Sequence, residues 1–139
     1  MESQRFFPWR EEYSLGIKVI DDHHKQLVGY IDEMYVSAIQ TDSKDKAKEI
    51  LKKLYEYTVY HFGVEERYFE KFGYEEIAEH KQQHQIFYQK LNDFKKMIDK
   101  NHPSTFQIIN FLKEWFKEHI LDTDKKYVNE LKIKIENDN

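Results

Sequence analysis

Five histidines and two acidic residues stand at spacings that make metal sense: His24, the pair His61 and Glu65, the pair His80 and His84, and His119 followed by Asp124. The two pairs are separated by four residues, which stacks side chains on one face of an α-helix. A histidine on an apolar face is costly unless its ring nitrogens find partners. A single one is often a satisfied core residue, hydrogen-bonded to a carbonyl or tyrosine. Five of them, with Glu65 near the same inward face, point to a cation that answers the imidazoles and the carboxylate together. Imidazole suits zinc, copper, iron and nickel, while carboxylates lean toward harder ions. Seven ligands exceed a tetrahedral zinc site. They suit two five- or six-coordinate ions that share bridging carboxylates. Two irons are the preferred occupants, and ligand count also admits two manganese ions or two zincs.

The elements that carry these residues read as amphipathic helices. Residues 1–20 form an extended arm, interrupted by Pro8 and Gly16 and bearing Phe6, Phe7, Trp9, Tyr13, Leu15 and Ile17. Asp21 or Asp22 caps a first helix to about Gln40, with His24, Leu27, Val28, Ile31, Met34 or Tyr35, and Ala38 along its stripe. Asp42 or Ser43 caps the second. Its stripe runs through Ala47, Ile50, Leu51, Leu54, Tyr57, His61, Val64 or Glu65, Tyr68 and Phe72, and Gly73 stops it. From about Glu75 to Asp99, Ile77, His80, His84, Phe87, Leu91, Phe94 and Ile98 alternate spacings of three and four, the seam of a helical bundle. Pro103 suits the start of a fourth helix, which carries Phe106, Ile109, Leu112, Trp115, Phe116, His119 and Ile120. Tyr127, Leu131 and Ile135 either extend it or form a short helix of their own. Short joints between four helices imply an all-α, up-down-up-down antiparallel four-helix bundle over residues 21–135, with the N-terminal arm and a C-terminal helical extension.

Composition narrows the function. A chain of 139 residues is read as one domain over 1–139. Hydrophobic residues at 40% and aromatics at 16% supply a core despite 35% charged residues, and four glycines with two prolines leave few breaks between helices. A net charge of −4 without a basic run argues against nucleic acid. The absence of cysteine removes disulfides, thiolate zinc sites, iron–sulfur clusters and cysteine nucleophiles. The start MESQRFFPWREE lacks the apolar core of a signal peptide, and no stretch approaches membrane-spanning length. The expectation is a cytoplasmic protein with no membrane association. Polar outer helix faces fit a monomer.

The segments IDDHHKQL, YHFGVEERYF, EHKQQHQIF and WFKEHILDTD resemble, in order and at matching intervals, the signature of the hemerythrin family, in the single-domain bacteriohemerythrin form. The tryptophan in the early arm and the tyrosine after the last motif also fit, so the similarity covers nearly the whole chain. The resemblance implies that His80, His84 and His119 hold one iron, and His24 and His61 the other. Glu65 and Asp124 would bridge them beside a solvent-derived oxo or hydroxo group, leaving the two-histidine iron an open position for dioxygen. Phe116 stands where many relatives carry leucine over the oxygen pocket, and Phe69 where methionine is common. Both rings are expected to bear on access to the open position.

Periodicity and resemblance disagree at one point. Asp124 lies five residues past His119, about 140° around an ideal helix, whereas Asp122 is only about 60° away. Periodicity favours Asp122 and the family pattern favours Asp124. A π-type bulge or other distortion near Ile120 to Thr123 would reconcile them. His23 adjoins His24 and so points about 100° away from it; it is expected in solvent, as is His102. Tyr57, Tyr60 and Tyr68 are candidate donors to the ligands, with packing their commoner role.

The function implied is reversible dioxygen binding for storage, transport or scavenging by a non-enzyme, with a redox or oxygen-consuming protein as partner. The alternatives are a di-iron enzyme that reduces peroxide, nitric oxide or nitrite, or a sensor of oxygen or iron.

Overall fold

The computed structural model describes residues 6–40, 44–100 and 105–138. Its helices are α1 (Lys18–Gln40), α2 (Lys44–Phe72), α3 (Ile77–Asp99), α4 (Thr105–Glu118) and α5 (Lys125–Glu136), with a six-residue π-helical segment, His119–Asp124, joining the last two. The first four make the expected antiparallel bundle, in which α1 packs on α2 and α4, and α2 on α3. Aromatic pairs Phe87–Trp115 and Phe94–Phe111 close α3 against α4. None of the helices described is long and apolar enough to cross a membrane.

The stripes follow the apolar periodicity. On α3, His80, His84, Phe87, Leu91, Phe94 and Ile98 are all buried. On α1 the inward choice is Met34, with Tyr35 half-buried. Along the 29 residues of α2 a repeat of three and four drifts around the axis. Tyr57 and Tyr68 therefore end half-buried, while Thr58, Phe62 and Phe69 take the inner positions. Phe106, expected in the core, is 44% exposed at the start of α4; Ile109 is buried as expected, and Ile108 takes an inner position as well.

Helix ends show where local chemistry governs. Gly73 adopts φ +67°, the left-handed conformation glycine takes without steric cost. The Tyr74 N–H then donates back to the Phe69 carbonyl at 2.9 Å, closing α2. The expected cap of α1 is corrected. The helix begins at Lys18, and the Asp21 N–H already donates to the Ile17 carbonyl. Asp21 works from inside the first turn, accepting from the Leu15 N–H at 2.8 Å and the Ser14 hydroxyl at 2.6 Å. Asp22 is exposed and pairs with Lys18. The cap expected at Asp42 or Ser43, the helix start expected at Pro103, and His102 lie outside the described residues.

The arm lies on the bundle as expected, but it is not extended throughout. A 3₁₀ turn at Glu11–Tyr13 buries Tyr13. Phe7 is buried, and its N–H donates to Asp32 Oδ1 of α1 at 2.7 Å. Lys113 of α4 donates to the Phe6 carbonyl at 3.0 Å and lies over the Phe6 ring. Asp32→Ala leaves the Phe7 N–H buried without that acceptor and is expected to cost about 1–3 kcal/mol. Urea unfolding checks this as a lower midpoint; an unchanged midpoint shows that the arm does not depend on this bond.

Candidate metal centre

Three of the bundle helices, and the π segment that continues α4, turn imidazole or carboxylate inward at the same level. α1 supplies His24, α2 supplies His61 and Glu65, and α3 supplies His80 and His84; His119 and Asp124 bound the π segment after α4. All seven side chains are buried. The structure therefore brings together every residue of the expected set.

The angular conflict at Asp124 resolves in the backbone. A π-helix has a wider turn than an α-helix, and one inserted turn shifts the register of everything beyond it. With His119–Asp124 wound this way, Asp124 is buried while Asp122 is exposed. The distortion falls where the mismatch between spacing and resemblance required it.

The seven residues divide into two groups whose ligating atoms lie within 4.8 Å of one another: Glu65, His80, His84 and His119, and His24, His61, Glu65 and Asp124. Glu65 is common to both. Asp124 also spans them, with Oδ1 3.1 Å from His80 Nε2 and 3.0 Å from His119 Nε2, and Oδ2 3.1 Å from His24 Nε2. Glu65 Oε1 stands 3.3 Å from His84 Nε2 and 3.6 Å from His61 Nε2.

These approaches lack hydrogen-bond geometry. The Nε2 atoms of His24, His80, His84 and His119, Oε1 of Glu65 and both oxygens of Asp124 are buried without a hydrogen-bond partner. Two ligand atoms each about 2.1 Å from one ion, at right angles, lie about 3.0 Å apart. The observed separations match ligands converging on cations. A donor set of nitrogen and oxygen without sulfur suits iron. The residues present thus fit a di-iron centre.

The far sides of the imidazoles are also organised, by residues the sequence reading had not assigned. His84 Nδ1–H donates to Glu66 Oε2 at 2.8 Å. His119 Nδ1–H and the Thr123 hydroxyl both donate to Gln83 Oε1, at 3.2 and 3.0 Å. Such bonds fix ring orientation and tautomer and turn Nε2 toward the cluster. The Tyr127 hydroxyl donates to Glu65 Oε2 at 2.7 Å. Of these, only Tyr127 carried a sequence signal, since three residues past Asp124 is nearly the same helix face. Tyr57 and Tyr60 pack their rings on His23, and Tyr68 packs on Phe72.

The expectation for His23 is overturned. It is only 5% exposed, and its Nδ1 lies 2.9 Å from His61 Nδ1. About 100° from His24 is not solvent here, because α2 approaches α1 closely enough to cover that side as well. Phe69 is also placed differently. Its ring lies against His80 at 4.6 Å and Tyr127 at 4.9 Å, on the side with three imidazoles. Phe116 is buried against Phe87 and Trp115.

Burial and neighbouring charges set the protonation of the metal-free protein. Burial drives the His61 imidazole down to about 3 despite the nearby Glu65 carboxylate. Burial also opposes charge on His84, but its contacts with Glu65 and Glu66 win and push it up to about 9. A metal ligand must offer a lone pair, so an ion at His84 displaces a proton bound below about pH 9. Iron(II) uptake near pH 7 is expected to release protons, and affinity is expected to fall as pH drops from 9. Anaerobic titration calorimetry in buffers of different ionisation enthalpy measures the release; pH-independent uptake without it contradicts the protonation assigned to His84.

The sequence profile described as "Hemerythrin HHE cation binding domain" matches residues 15–131. The chain is 35% identical over 130 residues to a bacteriohemerythrin of Clostridium acetobutylicum, covering 88% of this chain and 99% of that protein. It is 28% identical over 121 residues to a bacteriohemerythrin of Pseudomonas aeruginosa, covering 87% and 78%. Among solved structures, wild-type hemerythrin superposes with a TM-score of 0.80 at 25% identity, over 88% of this chain and 95% of that one. A leucine-to-alanine variant of hemerythrin gives 0.82, over 89% and 95%.

Proposed function

Because the chain belongs to the hemerythrin family and is a non-haem di-iron protein, we propose that it binds dioxygen reversibly, for storage, delivery or scavenging. His80, His84 and His119 would hold one iron and His24 and His61 the other, with Glu65 and Asp124 placed to serve both. The observation that carries this reading is the unequal division of five buried imidazoles around two carboxylates placed to serve both groups. Three imidazoles complete one side. Two leave the other a position to spare.

Iron held by these residues would supply the reversible redox chemistry that dioxygen binding needs. The protein's part is to hold the ligands still and keep water and protons away. Phe62 stacks on His84 at 3.6 Å and Trp115 on His119 at 4.4 Å, with Phe69 against His80. These rings wall the three-histidine side with apolar surface. Tyr127 keeps its proton, since burial and the Glu65 and Asp124 charges push its phenol well above the ordinary value. It remains a hydrogen-bond donor to Glu65 Oε2 and holds that carboxylate in place. A histidine-rich, buried site favours holding dioxygen over the oxidation chemistry of carboxylate-rich di-iron sites.

The test is optical. Iron-loaded protein, reduced anaerobically and then exposed to air, is expected to develop a visible charge-transfer band that disappears on deoxygenation and returns on re-exposure. Immediate conversion to a stable oxidised spectrum identifies a redox enzyme or sensor instead, and failure to take up iron overturns the assignment of the centre. His61→Ala is expected to lower the iron content toward one per chain and abolish the reversible band. His119→Ala removes one of three imidazoles from the closed iron and is expected to weaken its retention.

A further inference from the structure

His23 stands outside the seven residues of the cluster, yet it is buried with its Nδ1 2.9 Å from His61 Nδ1. Two imidazole nitrogens at that distance require one to donate and the other to accept. If His61 presents its Nε2 lone pair to iron, as the proposed function has it, its remaining proton sits on Nδ1. His61 is then the donor. His23 accepts through Nδ1 and carries its own proton on Nε2. The rings of Tyr57 and Tyr60, centred 5.8 and 5.1 Å from that of His23, hold it in place.

The two sides of the centre therefore differ in what backs their ligands. On the three-histidine side, the acceptors for Nδ1–H are a carboxylate at His84 and an amide oxygen at His119. On the two-histidine side, the acceptor for His61 is a neutral ring. A carboxylate draws the Nδ1 proton toward itself and makes the imidazole a stronger electron donor to its metal. A neutral acceptor fixes the tautomer with less of that push.

We propose that His23 is a positioning residue for the open iron: it accepts the Nδ1 proton of His61, locks that ligand's tautomer and ring plane, and leaves it a weaker donor than carboxylate-backed His84. The consequence is an electronic inequality between the irons beyond the count of histidines. An iron held by His24 and His61 would then be the more electron-poor and the more readily reduced of the two.

Three substitutions separate this from simple packing. His23→Gln supplies an amide oxygen like that of Gln83 and is expected to retain iron as the unaltered protein does. His23→Leu removes the acceptor and is expected to lose iron about 10–100-fold more readily in chelator competition. His23→Glu supplies a carboxylate and is expected to shift a mediated redox titration about tenfold toward the oxidised state, about 59 mV per electron. In zinc-loaded protein, whose ion takes the Nε2 lone pair in place of iron, ¹⁵N NMR is expected to show the His61 Nδ1–H in a hydrogen bond, with that bond lost in the leucine variant and kept in the glutamine variant. A leucine variant that retains iron and leaves the His61 Nδ1–H signal unchanged overturns the proposal, as does a glutamate variant with an unaltered potential. Unaltered protein that takes up no iron overturns the parent reading instead, so the two failures are distinct.

Discussion

Burial of polar atoms without hydrogen-bond partners is the constraint on which the rest of this structure depends. Five imidazoles and two carboxylates meet at the centre of the bundle, and most of their inward-facing atoms have no partner in the protein. Each such group costs about 1–3 kcal/mol when buried unsatisfied, and more when charged. Six side chains so placed, those of His24, Glu65, His80, His84, His119 and Asp124, rival the roughly 5–15 kcal/mol by which a folded domain is ordinarily stable. Convergent cations turn this liability into a bonded centre. The surrounding structure makes sense as what holds the ligands at that common point: stacked rings, acceptors behind the imidazoles and a tyrosine behind the shared glutamate.

The π segment is the clearest local expression of that demand. A regular helix would carry Asp122 closer to the His119 face and turn Asp124 away. The chain instead accepts a wider, rarer turn at His119–Asp124 and resumes α-helix at Lys125. Backbone regularity gives way where ligation requires it. Beyond the bulge, Tyr127, Val128, Leu131 and Ile135 return to the core, so the distortion is anchored on both sides by buried side chains.

Inequality is built into the centre at several levels. Three imidazoles stand opposite two, and aromatic stacking concentrates on the three. The partners behind the rings follow the same division, with a carboxylate and an amide on one side and an imidazole on the other. A centre meant to bind something at one metal and anchor at the other needs such a difference, since equal surroundings would give the added ligand no preference.

Helix periodicity made much of this legible in the amino-acid sequence alone. The inward faces of α1 and α3, the stop at Gly73 and all seven inward-facing candidates follow from spacing and family pattern, because they depend on contacts within one helix or on motif order. The first turn of α1, the exposure of Phe106 and the drift along α2 were less readable, because apolar content alone does not say how far a stripe rotates before a neighbour arrives. The partners behind the imidazoles were not readable. Glu66, Gln83 and His23 each sit beside a cluster residue in sequence, about 100° off its face, and local reasoning sends such neighbours toward solvent. Only the approach of a second helix makes that flank an interior. Sequence determined which residues turn toward the centre, since intrahelical geometry is periodic; tertiary structure decided what stands behind them, since that depends on the distance and angle between helices.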